Sequence, residues 1–116
     1  MTLQEIIDQL NLDLLTEEKN FTEVIPTRGY ASDLLSCVMA GASNKGLWLT
    51  LQAHVNIVAV AALLDLSAVI ITEGAKPDAM TISKANEQDI TLLSTDESTF
   101  SIAGKLWEMG LRATEN

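Results

Sequence analysis

The stretch GLWLTLQAHVNIVAVAALLDLSAVIITEG, residues 46–74, changes rhythm twice, and its reading decides the fold. GLWLTLQ (46–52) and SAVIITEG (67–74) are short apolar runs bounded by glycine and polar residues, which is the pattern of buried strands. Between them HVNIVAVAALLDL (54–66) reads as a helix whose residues 57–64 are apolar all round. Strand, helix and strand with short joints between them make a βα unit whose second strand lies parallel to the first.

The rhythm continues to the end of the chain. PDAMTISKANEQ (77–88) is a weaker helix, ITLLSTD (90–96) a third strand, and DESTFSIAGKLWEMGL (96–111) a third helix. Strands that are apolar almost throughout need cover on both faces. The expectation is therefore an α/β, three-layer domain: a mostly parallel central sheet built from βα units, helices on both faces, and residues 68–72 as the central strand. Residues 57–64 predict the more fully buried helix. The last helix shows a single stripe of Phe100, Ala103, Trp107, Gly110 and Leu111.

Upstream the signals are local. Thr2 with Glu5 reads as a capping box, and Leu3, Ile6, Ile7 and Leu10 recur at helical spacing up to about Asn11. A short apolar piece (12–15) follows, then the turn-like TEEKN (16–20) and an extended stretch (21–25) stopped by Pro26. Gly29 predicts a bend. Ser32 or Asp33 predicts the cap of a second helix with Leu34, Leu35, Val38 and Met39 as its apolar members and Gly41 at its end. No repeat, linker or low-complexity run divides the chain, so residues 1–116 read as one domain with one core.

Composition narrows the partners. Sixteen acidic residues against seven basic give a net charge of −9, which repels phosphate backbones and anionic lipid, so neither nucleic acid nor a membrane is an expected partner. The N-terminal MTLQEIIDQL lacks the basic segment and apolar block of a signal peptide, and the longest apolar run (57–64) is far shorter than the ~20 residues that cross a bilayer. A single cysteine, Cys37, makes no internal disulfide, which suits a cytoplasmic protein. Hydrophobic residues make up 47% of this small charged chain, a proportion that points to apolar surface covered by a second copy, hence a homodimer.

In a parallel sheet the residues just past the strand carboxyl ends gather along one edge, where helix N-termini also point. Three junctions fall there: Gln52–His54–Asn56, Thr72–Glu73–Gly74 and the run 94–98. The candidate ligand-binding residues are Gln52, His54, Asn56, Glu73, Thr95 and Asp96. Each also has a structural explanation, because polar side chains cap helices and glycine permits turns. His54 is a candidate general base, although the sequence supplies no orienting partner for it. One His and one Cys with no HExxH or CxxC spacing give no metal site, and no GxxxxGK[ST] loop is present to cradle phosphates. No cofactor is expected. Cys37 reads as an inert residue on the apolar side of its helix, Trp48 and Trp107 as core or interface, and Asp96 with Glu97 as negative charge favourable at a helix start.

The ordered set Gly29-Tyr30-Ala31-Ser32-Asp33-Leu34-Leu35-Ser36, Val38-Met39-Ala40, Leu49-Thr50-Leu51-Gln52, His54 and Asn56-Ile57-Val58-Ala59-Val60-Ala61 resembles the DRTGG domain. Ala68-Val69-Ile70-Ile71, Leu92-Leu93-Ser94-Thr95-Asp96 and Phe100-Ser101-Ile102-Ala103-Gly104-Lys105-Leu106 extend the likeness over nearly the whole chain. The string that names the family is absent, its nearest match being Thr27-Arg28-Gly29-Tyr30. Family members stand beside CBS domains in nucleotide-regulated pyrophosphatases and within some phosphotransacetylases, stand-alone copies accompany iron-only hydrogenase genes, and the fold is similar to the N-terminal domain of HPr kinase. The resemblance implies a non-catalytic regulatory or assembly module, dimeric, with a small-molecule ligand such as an adenine nucleotide or a redox-enzyme or CBS-containing partner protein. The alternative is a small enzyme that uses His54 as general base with a carboxylate such as Asp96.

Overall fold

The computed structural model of the chain describes residues 1–114. Thr2 opens helix α1 (Leu3–Leu10): its hydroxyl accepts the Glu5 N–H at 3.1 Å while the Glu5 carboxylate accepts the Thr2 N–H at 3.3 Å. This reciprocal pair satisfies two donors that a helix start leaves free. Asn11 ends α1 in the left-handed region at φ 53°, and the chain turns directly into strand β1 (Asp13–Leu14).

Residues 21–23 are not extended as expected, whereas Val24 is. Phe21–Glu23 form a 3-10 turn, because the Asn20 side chain accepts the Thr22 N–H and the Phe21 ring is drawn into the core beneath α1. Gly29 is likewise no bend but the first residue of strand β2 (Gly29–Ala31). The approach there is close: a Cβ would lie 3.1 Å from a Leu111 methyl, so that side chain would have to shift to admit one.

Helix α2 (Leu35–Gly41) starts at Leu34 without a side-chain cap. Ser32 accepts the Leu34 N–H in a local turn, whereas Asp33 is diverted to strand β3 (Leu47–Thr50), accepting the Thr50 hydroxyl and the Leu51 N–H, both at 2.8 Å. Only Val38 of α2 is buried; Leu34, Met39 and Cys37 are exposed. Cys37 thus lies off the apolar side assigned to it, one residue out of phase with Val38.

The remaining elements are α3 (Asn56–Leu63), β4 (Ala68–Ile71), α4 (Ala79–Glu87), β5 (Leu92–Ser94) and α5 (Thr99–Met109). They form one five-stranded sheet in the order β1-β5-β4-β3-β2, parallel except for the antiparallel β1–β5 pair, with β4 central as expected. Alternation along the strands divides two cores. Leu47, Leu49, Ala68, Ile70 and Leu93 face α1 and α5; Trp48, Val69, Ile71 and Leu92 face α2, α3 and α4. Each such side chain removed from water contributes roughly 1.5–3 kcal/mol.

As expected, α3 is the more fully buried helix, with Ile57, Val58, Val60 and Ala61 buried, although Ala59 is exposed and Leu63 is 68% exposed. The stripe read in α5 is what changes. In α5 the buried residues are Ile102 and Leu106, while Phe100 is 90% and Trp107 56% exposed. Ile102 and Leu106, four apart, meet the buried Leu3, Ile6 and Leu10 of α1 in one cluster. That leaves the Phe100–Ala103–Trp107 stripe about 100° further round the helix.

Candidate functional site

The parallel strands deliver the three junctions to one edge, but the candidates fall into two groups there. At the β3 end the chain leaves the sheet through a turn held by Asp33 and Thr50, whose hydroxyl accepts the Gln52 N–H at 3.0 Å. Gln52 is half-buried and donates its side-chain N–H to the Asp33 carbonyl at 3.2 Å. His54 is exposed, and its Nδ1 accepts the Asn56 N–H at 3.1 Å. Asn56, also exposed, is the first residue of α3, so His54 caps the helix from just outside it.

At the second group, Glu73 and Gly74 follow β4 in the left-handed region, at φ 62° and 72°. This corner is clamped onto the β5–α5 loop: the Glu73 N–H donates to the Glu97 carbonyl at 2.8 Å and the Gly74 N–H to the Thr95 carbonyl at 3.1 Å. The Glu73 carboxylate then accepts the Thr99 N–H at 2.8 Å, capping α5 from a different loop. The buried Thr95 hydroxyl accepts the Glu97 N–H, and the exposed Asp96 carboxylate stands 3.9 Å from the Lys76 ammonium. Lys105, bonded to Glu97 at 2.6 Å, and then Ser101 hold the Glu97 carboxyl below the usual carboxylate range. Asp78 is held low as well, first by the Thr81 side chain and backbone N–H and to a smaller degree by the charge of His54.

His54 and Asp96 are not brought together. Central β4 separates β3 from β5, which puts their junctions two strand spacings, about 9–10 Å, apart. The carboxylate whose titration feels His54 is Asp78, and no hydrogen bond or ion pair joins His54 to Asp96 among the described residues. Nor does His54 lie beside the 94–96 junction, since residues 72–78 come between. Sequence reasoning missed Asp33, Asp78 and the Thr72–Thr99 hydroxyl pair that locks β4 to α5. Asp78 alone carried a readable signal, standing just before a helical run with Thr81 three residues on. Among the described residues no three His, Cys, Asp or Glu side chains gather to hold a metal ion, and no helix is long and apolar enough to cross a membrane.

Residues 36–109, from α2 to the last turn of α5, match the DRTGG domain. The chain belongs to the DRTGG domain family. The matched span takes in every candidate residue of this DRTGG domain and leaves out Thr27–Tyr30. Among solved structures, the CBS and DRTGG domains of the regulatory region of Clostridium perfringens pyrophosphatase, complexed with the activator diadenosine tetraphosphate, match 98% of this chain with a TM-score of 0.73 and 19% identity. Likeness at that identity is one of fold. The chain spans 47% of that structure's chain. No curated protein matches it.

Proposed function

We propose that this DRTGG domain is a non-catalytic regulatory or assembly module, a cytoplasmic homodimer that binds a small ligand or a partner protein at the carboxyl edge through Gln52, His54, Asn56, Glu73, Thr95 and Asp96. The observation that carries this reading is the use made of His54. A backbone N–H only donates, so Nδ1 accepts the Asn56 N–H and its lone pair is engaged at the start of α3. A general base needs that lone pair for its substrate. Here it holds the start of α3, and the outward nitrogen is a donor, suited to binding an acceptor rather than removing a proton.

The other candidates behave in the same way. Gln52, Glu73 and Thr95 each hold backbone groups of the edge, so they form a rigid rim from which Nε2–H, the Asn56 amide and the Asp96 carboxylate remain to meet a ligand. The regulatory setting of the Clostridium perfringens neighbour makes an adenine nucleotide the first ligand class to try and a CBS-containing protein the first partner class, with a redox enzyme the partner class that the family resemblance adds. The exposed, unbridged Cys37 fits a reducing compartment.

The test is amide NMR titration of the full chain with ATP and with diadenosine tetraphosphate, alongside phosphate-release assays. The expected result is saturable shifts confined to the carboxyl edge, abolished by His54→Ala, with no phosphate released above buffer. Phosphate release that follows the protein through purification and disappears in His54→Ala contradicts the non-catalytic reading. Shifts elsewhere, or none, contradict nucleotide binding at this edge.

A further inference from the structure

We propose that two copies of this chain join through the outward face of α5, with Phe100, Ala103 and Trp107 of each copy packing into the apolar cleft beside α5 in the other. This rests on the homodimer of the preceding section and names its surface.

Coverage of the sheet is unequal. Three helices pack on the Trp48 face and two, α1 and α5, on the other. On this face α5 packs against both β2 and β3, and beside it Gly29, Tyr30, Ala31 and Leu49 meet Ala103 and Trp107 in an apolar cleft of about 230 Å³. The α5 of a second copy has the required face, since its second apolar stripe is unused by its own core.

Charge selects the same occupant. In a molecule of net charge −9, none of the residues lining this cleft is acidic, and its one charged group is Arg112, lying 4.0 Å over the Trp107 ring. Two like-charged copies approach at least cost where their acids are absent. The outer edge of β2 is partly closed, because the Gly29 N–H already donates to the Arg112 carbonyl at 2.9 Å. Helix-into-cleft is therefore the mode, not strand added to strand. Gly104 has open space where a side chain would stand, which permits close backbone approach.

The area is of the right order. Phe100 and Trp107, at 90% and 56% exposure, supply roughly 300 Å² between them toward the ~800 Å² per partner that a stable dimer hides, and aromatic residues of this kind dominate interface energies. The groove between α3 and α4 has one large exposed side chain among its lining residues, Leu63, and no aromatic.

Sedimentation velocity of the full chain from about 1 to 200 µM tests the assignment, with urea unfolding as the folding control. The expected result is a dimer in the native chain, and at least tenfold weaker self-association in both Trp107→Glu and Gly104→Arg with folding retained. A native chain that stays monomeric throughout overturns the homodimer itself. A dimer that survives both substitutions, or is lost instead in Leu63→Glu, overturns this surface and leaves the homodimer standing.

Discussion

Trp48 and Trp107 sit on opposite faces of the same sheet and have opposite fates. Trp48, on β3, is 0% exposed among α2, α3 and α4, and its indole N–H donates to the Ser32 carbonyl at 2.9 Å. Trp107, on α5, is 56% exposed with Arg112 across its ring. The first completes a core that closes within one chain. The second lies beside an apolar cleft that the chain leaves open. A large apolar side chain therefore reports packing only together with the helix count on its side of the sheet.

The largest effect expected follows from that contrast. Trp48→Ala removes the biggest fully buried side chain and leaves the Ser32 carbonyl unpaired, so it costs about 3–5 kcal/mol, a large part of the ~5–15 kcal/mol that stabilises a domain. Urea unfolding checks it. A loss below about 1 kcal/mol would mean that the Trp48 face is no better closed than the other. Within α5 the contrast sharpens: Ile102→Ala costs about 2–4 kcal/mol, while Phe100→Ala, at concentrations where the chain is monomeric, stays within about 0.5 kcal/mol. Equal losses would erase the distinction between the two stripes.

This pair of stripes also marks where the sequence stopped being legible. The βα rhythm from residue 46 onward, the capping box at Thr2 and the central place of β4 could be read because each depends on local spacing or on topology rules. The phase of α5 could not, since Phe100–Ala103–Trp107 and Ile102–Leu106 are both apolar at helical spacing and only the position of α1 decides which turns inward. Gly29 reads as a bend because a glycine packed closely under Leu111 within a strand looks, in sequence, like a turn residue. At the carboxyl edge the candidate residues could be placed by topology. Their use as caps across loops, such as Glu73 holding Thr99, depends on contacts 26 residues apart.

Smaller effects test the edge. His54→Ala loses one helix-start bond at an exposed position and is expected to cost no more than about 1 kcal/mol by thermal unfolding. Unfolding or aggregation of the variant would make His54 part of the fold's core. The smallest effect concerns Asp78, whose carboxylate accepts the Thr81 N–H at the start of α4 and is held below its ordinary value. A carboxyl depressed in the folded state stabilises above its unfolded pKa and loses that contribution as pH falls through the folded one. Asp78→Asn should therefore flatten the decline of stability below about pH 4. An unchanged pH profile would show that the cap contributes nothing measurable.

The contrast between the closed core and the open cleft is tested most directly by cysteine capture in a Cys37→Ser background, which removes the exposed native thiol. Gly104→Cys places a thiol on the open face of α5, and Ala59→Cys places one on the exposed side of α3. Under mild oxidation at low micromolar concentration, Gly104→Cys is expected to form a covalent dimer rapidly while Ala59→Cys remains monomeric on a non-reducing gel. Rapid capture of Ala59→Cys with none for Gly104→Cys, or none for either, would contradict the account.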